Sequence, residues 1–377
     1  MPCQRRDCQA ATELRSFAYR EAVRSRSSAP EGVTQRPESM RPAVSVIVTT
    51  CADALALRRA ITSILETGYE PLEIIVVENR PPEASTRTVV EELFAGQPVR
   101  YLEEPRRGLS WARNAGLAHA GGEIVAFTDD DVVVDPGWIE SAVATFAGPE
   151  QAACVTGRIL PLALKTPPQV LFDQLAAFDK GQERRVFHLP ESRAADPLFP
   201  WVAGHVGSGA NIFVRRDVVL GMGGFDSVLG AGTPTMGGED LDLFIRLAHG
   251  GDTIVYEPAV TLSHDHPDRA EELRRHAYHY GIGLTAMLAK QLLHGPGRLM
   301  LLRAIPAGVR YALNPSSRKN RRKPSDYPTN LELLERIGML LGPAAYLLSF
   351  ARSAARNLPG IARPNHRGPD RGQRPHA

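Results

Sequence analysis

The eight residues Ala43-Val-Ser-Val-Ile-Val-Thr-Thr50 restrict the fold more than any other stretch of this chain. They are rich in β-branched side chains and show no apolar–polar alternation. A strand of this kind must be covered on both faces, which predicts a buried parallel strand at the centre of a sheet. The next eighty residues repeat the theme. Leu55, Leu57, Ile61, Ile64 and Leu65 recur at helical spacing and Gly68 stops them. Leu72-Glu-Ile-Ile-Val-Val77 reads as a second strand, 85–94 as a helix, Val99-Arg-Tyr-Leu102 as a third strand and 110–120 as a helix closed by Gly121-Gly122. Ile124-Val-Ala-Phe127 is a fourth strand and runs into Thr128-Asp-Asp-Asp131. Such alternation predicts βαβ units with right-handed crossovers and ligands at the carboxyl ends of the strands. The polar clusters Thr49–Asp53, Glu78–Arg80 and Asp129–Asp131 all fall at such ends.

Beyond Asp131 the pattern loosens. A helix is expected at 137–146, strands at 153–159 and 209–215, and a Pro-rich irregular segment at 160–200. A Gly-rich loop over 221–238 leads into a helix at Glu239, and two short strands come after it at 253–256 and 259–262. From 268 onward the chain reads as helix, broken by Pro296, Pro306 and the segment 315–328. The expected organisation is a disordered tail at 1–41, a catalytic domain at 42–267, a helical region at 268–358 and a disordered tail at 359–377. The first forty residues lack the apolar segment of a secretory signal. The longest apolar run, 337–350, is interrupted by Gly342 and Pro343 and reads as too short to span a membrane.

A net charge of +2 over 377 residues does not point to nucleic acid as a partner. Cys3, Cys8, Cys51 and Cys154 have no zinc-ligand spacing and read as thiols of a reducing compartment, which suits a cytoplasmic protein.

Four clusters carry chemistry. Asp129, Asp130 and Asp131 repel one another unless a cation neutralises them. At strand period Asp129 and Asp131 share a side while Asp130 points away, and hard oxygen ligands suit Mg²⁺ or Mn²⁺. Glu239-Asp-Leu-Asp242 opens a helix, where acidic residues cap the dipole and where one carboxylate can also act as a general base. His264 and His266 flank Asp265 and share a face, so they are candidates for a metal or a phosphate. In Arg106-Arg-Gly-Leu-Ser-Trp-Ala-Arg-Asn114 a glycine precedes a helix start that can face an anion, with Arg113 one turn in.

Taken in order, these motifs resemble the family 2 glycosyltransferases of the GT-A fold: an α/β, Rossmann-like mixed sheet flanked by helices, here with a C-terminal helical extension. The matching residues are Val44–Thr50, Glu73–Asn79, Gly108–Asn114, Gly122–Asp131, Gly209-Ala-Asn211 and Gly238-Glu-Asp240, and the likeness spans 43–266. The resemblance implies a nucleotide-diphosphate sugar donor, a glycan, lipid-linked or small-molecule acceptor and a divalent metal, Mn²⁺ or Mg²⁺. By that resemblance Thr49, Cys51, Glu78 and Asn79 line the nucleoside pocket, with Arg113 near the nucleotide beside Asp129 and Asp130. Asp131 and Asp129 form the metal motif, His264 and then His266 are later ligands, Asp240 is the base of an inverting displacement and Glu239 shapes the acceptor pocket. Glu78 stands where the family more often has Asp, Cys51-Ala-Asp53 lacks the usual aromatic or Asn-Arg residues, and two glycines replace an aromatic before Glu239. A sugar-phosphate nucleotidyltransferase is the rival enzyme, but no glycine succeeds the first strand. A non-catalytic sugar-nucleotide-binding protein is the rival from another class. The basic run at 318–323 and the apolar stripe from Leu331 to Leu341 suggest either a helix packed on the domain or peripheral docking at the inner face of a membrane.

Overall fold

This computed structural model describes residues 41–356 apart from 52, 80–84, 318, 321–322 and 324–325, so the expected tails, Arg41 aside, lie outside it, as does Arg80. Among the described residues one mixed sheet of nine strands organises the chain. Its strands are β1 Val44–Thr50, β2 Leu72–Glu78, β3 Val99–Glu103, β4 Ile124–Asp129, β5 Val132–Val134, β6 Cys154–Pro161, β7 Arg185–Phe187, β8 Ile212–Arg215 and β9 Ile254–His264. The order is β3-β2-β1-β4-β8-β6-β9-β5, with β7 also pairing β9. β1 pairs in parallel with β2 and β4, and β2 with β3. From β4 outward the sense changes, since β8 is antiparallel to both β4 and β6, while β6 and β9 are parallel.

Every residue of β1 is buried, as its composition demands. Alternate side chains enter different layers. Val44, Val46, Val48, Ile74 and Val76 pack with helix α1 (Ala54–Leu65) and helix α4 (Trp138–Phe146). Ile47, Ile75, Val77, Val125 and Phe127 pack on the opposite face with helix α3 (Leu109–His119) and helix α8 (Glu239–Gly250). The remaining short helices are α2 (Ser85–Thr88), α5 (Pro167–Ala176), α6 (Leu189–Ala195) and α7 (Arg216–Gly221).

Three expectations differ from what forms. The segment 160–200 holds α5, β7 and α6 rather than irregular chain. Its prolines start helices instead of preventing them: Thr166 and Gln169 make a capping box around Pro167 and Pro168, positions whose amides need no helical partner. The two short strands near 253–262 are one strand, β9, with a register shift opposite Gly157/Arg158. Asn211 patches that irregularity, donating to the Arg158 and Val260 carbonyls at 3.1 and 3.0 Å and accepting from the Trp138 indole at 2.9 Å.

The third difference lies at the C-terminus, in α9 (Ala270–His294), α10 (Arg298–Leu313) and α11 (Thr329–Arg356). Pro306 and Pro343 sit inside α10 and α11 without ending them. A proline removes one N–H and so frees the carbonyl four residues earlier. In α11 that is Met339, and its carbonyl accepts from Thr285 Oγ1 of α9 at 2.8 Å. The helix therefore continues, and Thr329–Ala355 is long and apolar enough to cross a membrane by length and composition, contrary to the reading of 337–350 as too short. The close approach depends on Gly342, where a Cβ would lie 1.9 Å from Thr285 Oγ1 and 2.6 Å from the Ile282 carbonyl.

Candidate active site

The parallel register sets Thr49 of β1 beside Asp129 of β4, so both strands deliver polar side chains to one sheet edge. Thr49 Oγ1 donates to Asp129 Oδ1 at 3.4 Å, and Thr50 Oγ1 donates to Asp130 Oδ2 at 2.5 Å. The two neighbouring aspartates are thus held by successive threonines. Antiparallel pairing of β5 with β9 aligns Val132 with His264, which brings the histidine to Asp131. Ligand atoms of Asp129, Asp131 and His264 all lie within 4.8 Å of one another. Asp131 Oδ1 is buried without a hydrogen-bond partner, although His264 Nε2 lies 3.4 Å away. Burial and then the charge of Asp129 push the Asp131 carboxyl up to about 7, and burial keeps His264 below its ordinary value. Burial also lifts Asp130 to about 7, against the Thr50 hydrogen bond. An unpartnered buried oxygen, two neighbouring carboxyl groups and a neutral imidazole form a donor set that fits a divalent cation.

His266 does not join that group. It is 3% exposed, its Nδ1 is 3.3 Å from His264 Nδ1, and its Nε2 faces Asp173 Oδ1 at 3.4 Å. It stands behind His264 and fixes how that ring sits.

Asp240 opens α8 and faces the same cleft as the aspartates. Its Oδ2 accepts from the Gly209 amide at 2.8 Å, and Oδ1 accepts from the Leu241 amide at 2.8 Å. Gly209 also accepts Arg113 Nη2 on its carbonyl at 3.1 Å, and a Cβ there would meet that guanidinium at 2.8 Å. Without a side chain at 209 the backbone can bridge Asp240 and Arg113. Arg113 itself is 2% exposed. It pairs with Glu239 at 2.9 Å and lies 3.5 Å from Asp129, so it ties α8 to the acidic strand end from within the protein and does not line the cleft. Glu239 has its other oxygen buried and unpartnered, and burial followed by the Asp240 charge pushes its carboxyl up to about 7.

The remaining expected residues are placed less directly. Asn79 lines the cleft, but its amide donates to the Glu104 and Arg106 carbonyls and accepts from the Gly108 amide at 2.9 Å. It shapes the loop before α3. Glu78 is fully buried and accepts from the Thr86 hydroxyl. Cys51 is exposed on the cleft wall. The sequence reading missed Arg107, which lines the cleft where Arg113 does not, and Tyr280, His276 and His279 of α9. Burial and then the Asp240 charge keep the Tyr280 phenol protonated. These α9 residues carry no local motif. All belong to one cleft of about 2590 Å³.

Residues 45–195 match the model of glycosyl transferase family 2. Among curated relatives, the pre-mycofactocin glycosyltransferase of Mycobacterium tuberculosis (strain ATCC 25618 / H37Rv) is 32% identical over 250 residues, 65% of this chain and 47% of that protein. The chain therefore spans about half the length of that relative. The glucosyl-dolichyl phosphate glucuronosyltransferase of Haloferax volcanii is 27% identical over 227 residues, 59% of this chain and 68% of that protein. Among solved structures, the mannosyltransferase PcManGT from Pyrobaculum calidifontis, in complex with GDP-Man and Mn2+, superposes with a TM-score of 0.51 at 21% identity, covering 91% of this chain and 88% of that one. That likeness is one of fold, and it is the GT-A-like mixed sheet with a C-terminal helical segment. The segment 45–195, which runs through Asp129–Asp131, is thus similar to glycosyl transferase family 2.

Proposed function

We propose that the protein moves a glycosyl group from a nucleoside diphosphate sugar to an acceptor hydroxyl, with inversion at the anomeric carbon. The observation that carries this is the shared cleft of Asp129, Asp131 and His264 with Asp240. One group suits a diphosphate with its cation, and the other is a carboxylate set to take a proton.

Asp240 takes the acceptor proton as the oxygen forms its bond to the anomeric carbon, and the bond from that carbon to the diphosphate oxygen breaks with its electron pair. The Gly209 and Leu241 amides hold both Asp240 oxygens, so the base enters the reaction already oriented. The Arg113–Glu239 pair keeps the α8 start in register with Asp129. Arg107 on the cleft wall is suited to the donor phosphates. Asp129, Asp131 and His264 would hold a divalent cation, which would supply Lewis-acid stabilisation of charge on the leaving diphosphate. Mn²⁺ is the first ion to test, because the structural neighbour holds it with GDP-Man. The exposed apolar faces of α10 and α11 support peripheral contact with a membrane.

Calorimetric titration with GDP, UDP and dTDP, with and without Mn²⁺, tests the donor site. Metal-dependent binding of one nucleotide, lost in Asp131→Ala, is the expected result. No binding of any nucleotide under either condition refutes it.

A further inference from the structure

α10 and α11 both pack on α9 but scarcely touch each other, which leaves a groove with α9 as its floor. Leu284, Leu288 and Leu292 of α9 recur every fourth residue and line that floor. Ile305 and Val309 of α10 and Leu340 of α11 stand on the walls. The groove is not a separate cavity. It continues past Tyr280 and Gly283 into the space in front of Asp240 and Asp129. From Tyr280 to Leu292 the floor runs about 18 Å at the rise of an α-helix. One end of the cleft is therefore acidic and the other is an apolar channel.

The outer faces of the same helices are apolar as well. Of the 19 exposed large apolar side chains among the described residues, eight lie in α10 and α11 away from the groove, with Leu299 at 67% exposure and Leu333 at 57%. A helix apolar on its outer as well as its packed face requires a non-aqueous neighbour. Charge selects which one. Residues 298–328 hold eight Lys and Arg against one Asp, and two of them, Lys319 and Lys323, pair with Glu335 of α11, which leaves an excess of cations. A second copy would bring the same excess of cations against itself, whereas a bilayer with anionic headgroups complements both the apolar faces and the charge.

We infer that α10 and α11 lie on an anionic membrane and that the groove takes the hydrocarbon chain of a membrane-borne acceptor whose hydroxyl is presented to Asp240. The inference rests on the transferase reading for the role of Asp240. It assigns the acceptor class, an amphiphile, from the continuity of apolar groove and acidic cleft.

The full chain is floated with vesicles of phosphatidylcholine alone and of phosphatidylcholine with phosphatidylglycerol, and groove occupancy is read by cis-parinaric acid fluorescence. The wild type is expected to float with the anionic vesicles, to be released by high salt and to bind the fatty probe. Gly308→Trp places a ring in the groove, since nothing lies within 4 Å of a Cβ at Gly308. It is expected to lose about tenfold in probe affinity, the loss of a few methylenes' contact, while still floating. Leu299→Glu with Leu302→Glu is expected to stop flotation while Mn²⁺-dependent nucleotide binding persists, which shows that the chain remains folded. A wild type that does not float, one that light scattering shows as a dimer unable to float, or probe binding unchanged in Gly308→Trp overturns the inference. Flotation and probe binding without any nucleotide binding overturn the transferase reading and leave the lipid groove standing.

Discussion

Replacing Arg113 with Met is expected to destabilise the protein strongly and in a pH-dependent manner. The guanidinium is 2% exposed and its carboxylate partner 7% exposed, at 2.9 Å. Removing one partner of such a pair costs about 3–5 kcal/mol, because the other charge stays buried and alone. Glu239 can escape that cost only by taking a proton. Even with Arg113 present, burial holds its carboxyl at about 7, well above an unfolded glutamate. A raised carboxylate means that the folded state binds more protons, so this group stabilises below the unfolded value and loses that contribution as pH rises through the folded value. In Arg113→Met the folded value rises further. Stability should then keep falling above pH 7, by about 1.4 kcal/mol per pH unit. Arg113→Met/Glu239→Gln removes the titrating group and should recover most of the loss at pH 8. Urea unfolding monitored by tryptophan fluorescence at pH 6 and pH 8 measures all four members of the cycle. A single variant that loses under about 1 kcal/mol at both pH values, or a double variant as unstable at pH 8 as the single one, refutes the account of Arg113 as a buried counter-ion.

Asp240→Asn keeps the amide contacts of one oxygen but cannot take a proton, so kcat should fall by about 10²–10⁴ with nucleotide binding unchanged by calorimetry. Gly342→Leu forces a side chain into Thr285 and the Ile282 carbonyl, and overpacking of this kind costs about 1–3 kcal/mol. Limited proteolysis should then cut the 314–328 connection faster than in the wild type. His276 is held down to about 4, first by burial and then by the charge of His279. The unfolded chain binds its proton first as pH falls, so His276 removes stability between about 6.5 and 4, by at most about 3 kcal/mol. Thermal melts across that range should show a shallower pH dependence in His276→Phe.

The parallel half of the sheet is readable because β1, β2 and β4 are covered on both faces and so carry uninterrupted apolar runs. The Asp129–Asp131 cluster is readable because three adjacent carboxylates at a buried strand end need a reason. Arg113 reads in the sequence as a residue near the nucleotide, but nothing local shows that the cation will be enclosed away from the cleft, since its enclosure depends on Glu239 and Gly209 arriving from the other end of the domain. Helix α11 runs through Pro343 for a reason equally hidden from the sequence. Proline's missing amide is a local fact, while the hydroxyl of Thr285 that takes up the Met339 carbonyl is a tertiary one. Pro167 and Pro168 show the opposite case, since Thr166 and Gln169 stand beside them as a helix-start signal.

The β5–β9 pairing that sets His264 against Asp131 has a consequence for assembly. Asp129 and Asp131 belong to the stretch that ends β4 and leads into β5, whereas His264 ends β9, the last strand in chain order. Contacts so distant in the chain carry the greatest loop-closure cost and tend to form slowly. A nascent chain that has completed β1–β4 therefore holds the carboxylates without their third partner. The affinity step from a two-carboxylate to a three-ligand arrangement coincides with docking of β9, so an ion bound there stabilises the finished sheet in preference to its precursors. In the proposed metal site, occupancy would be a chemical report on whether the far end of the chain has come home.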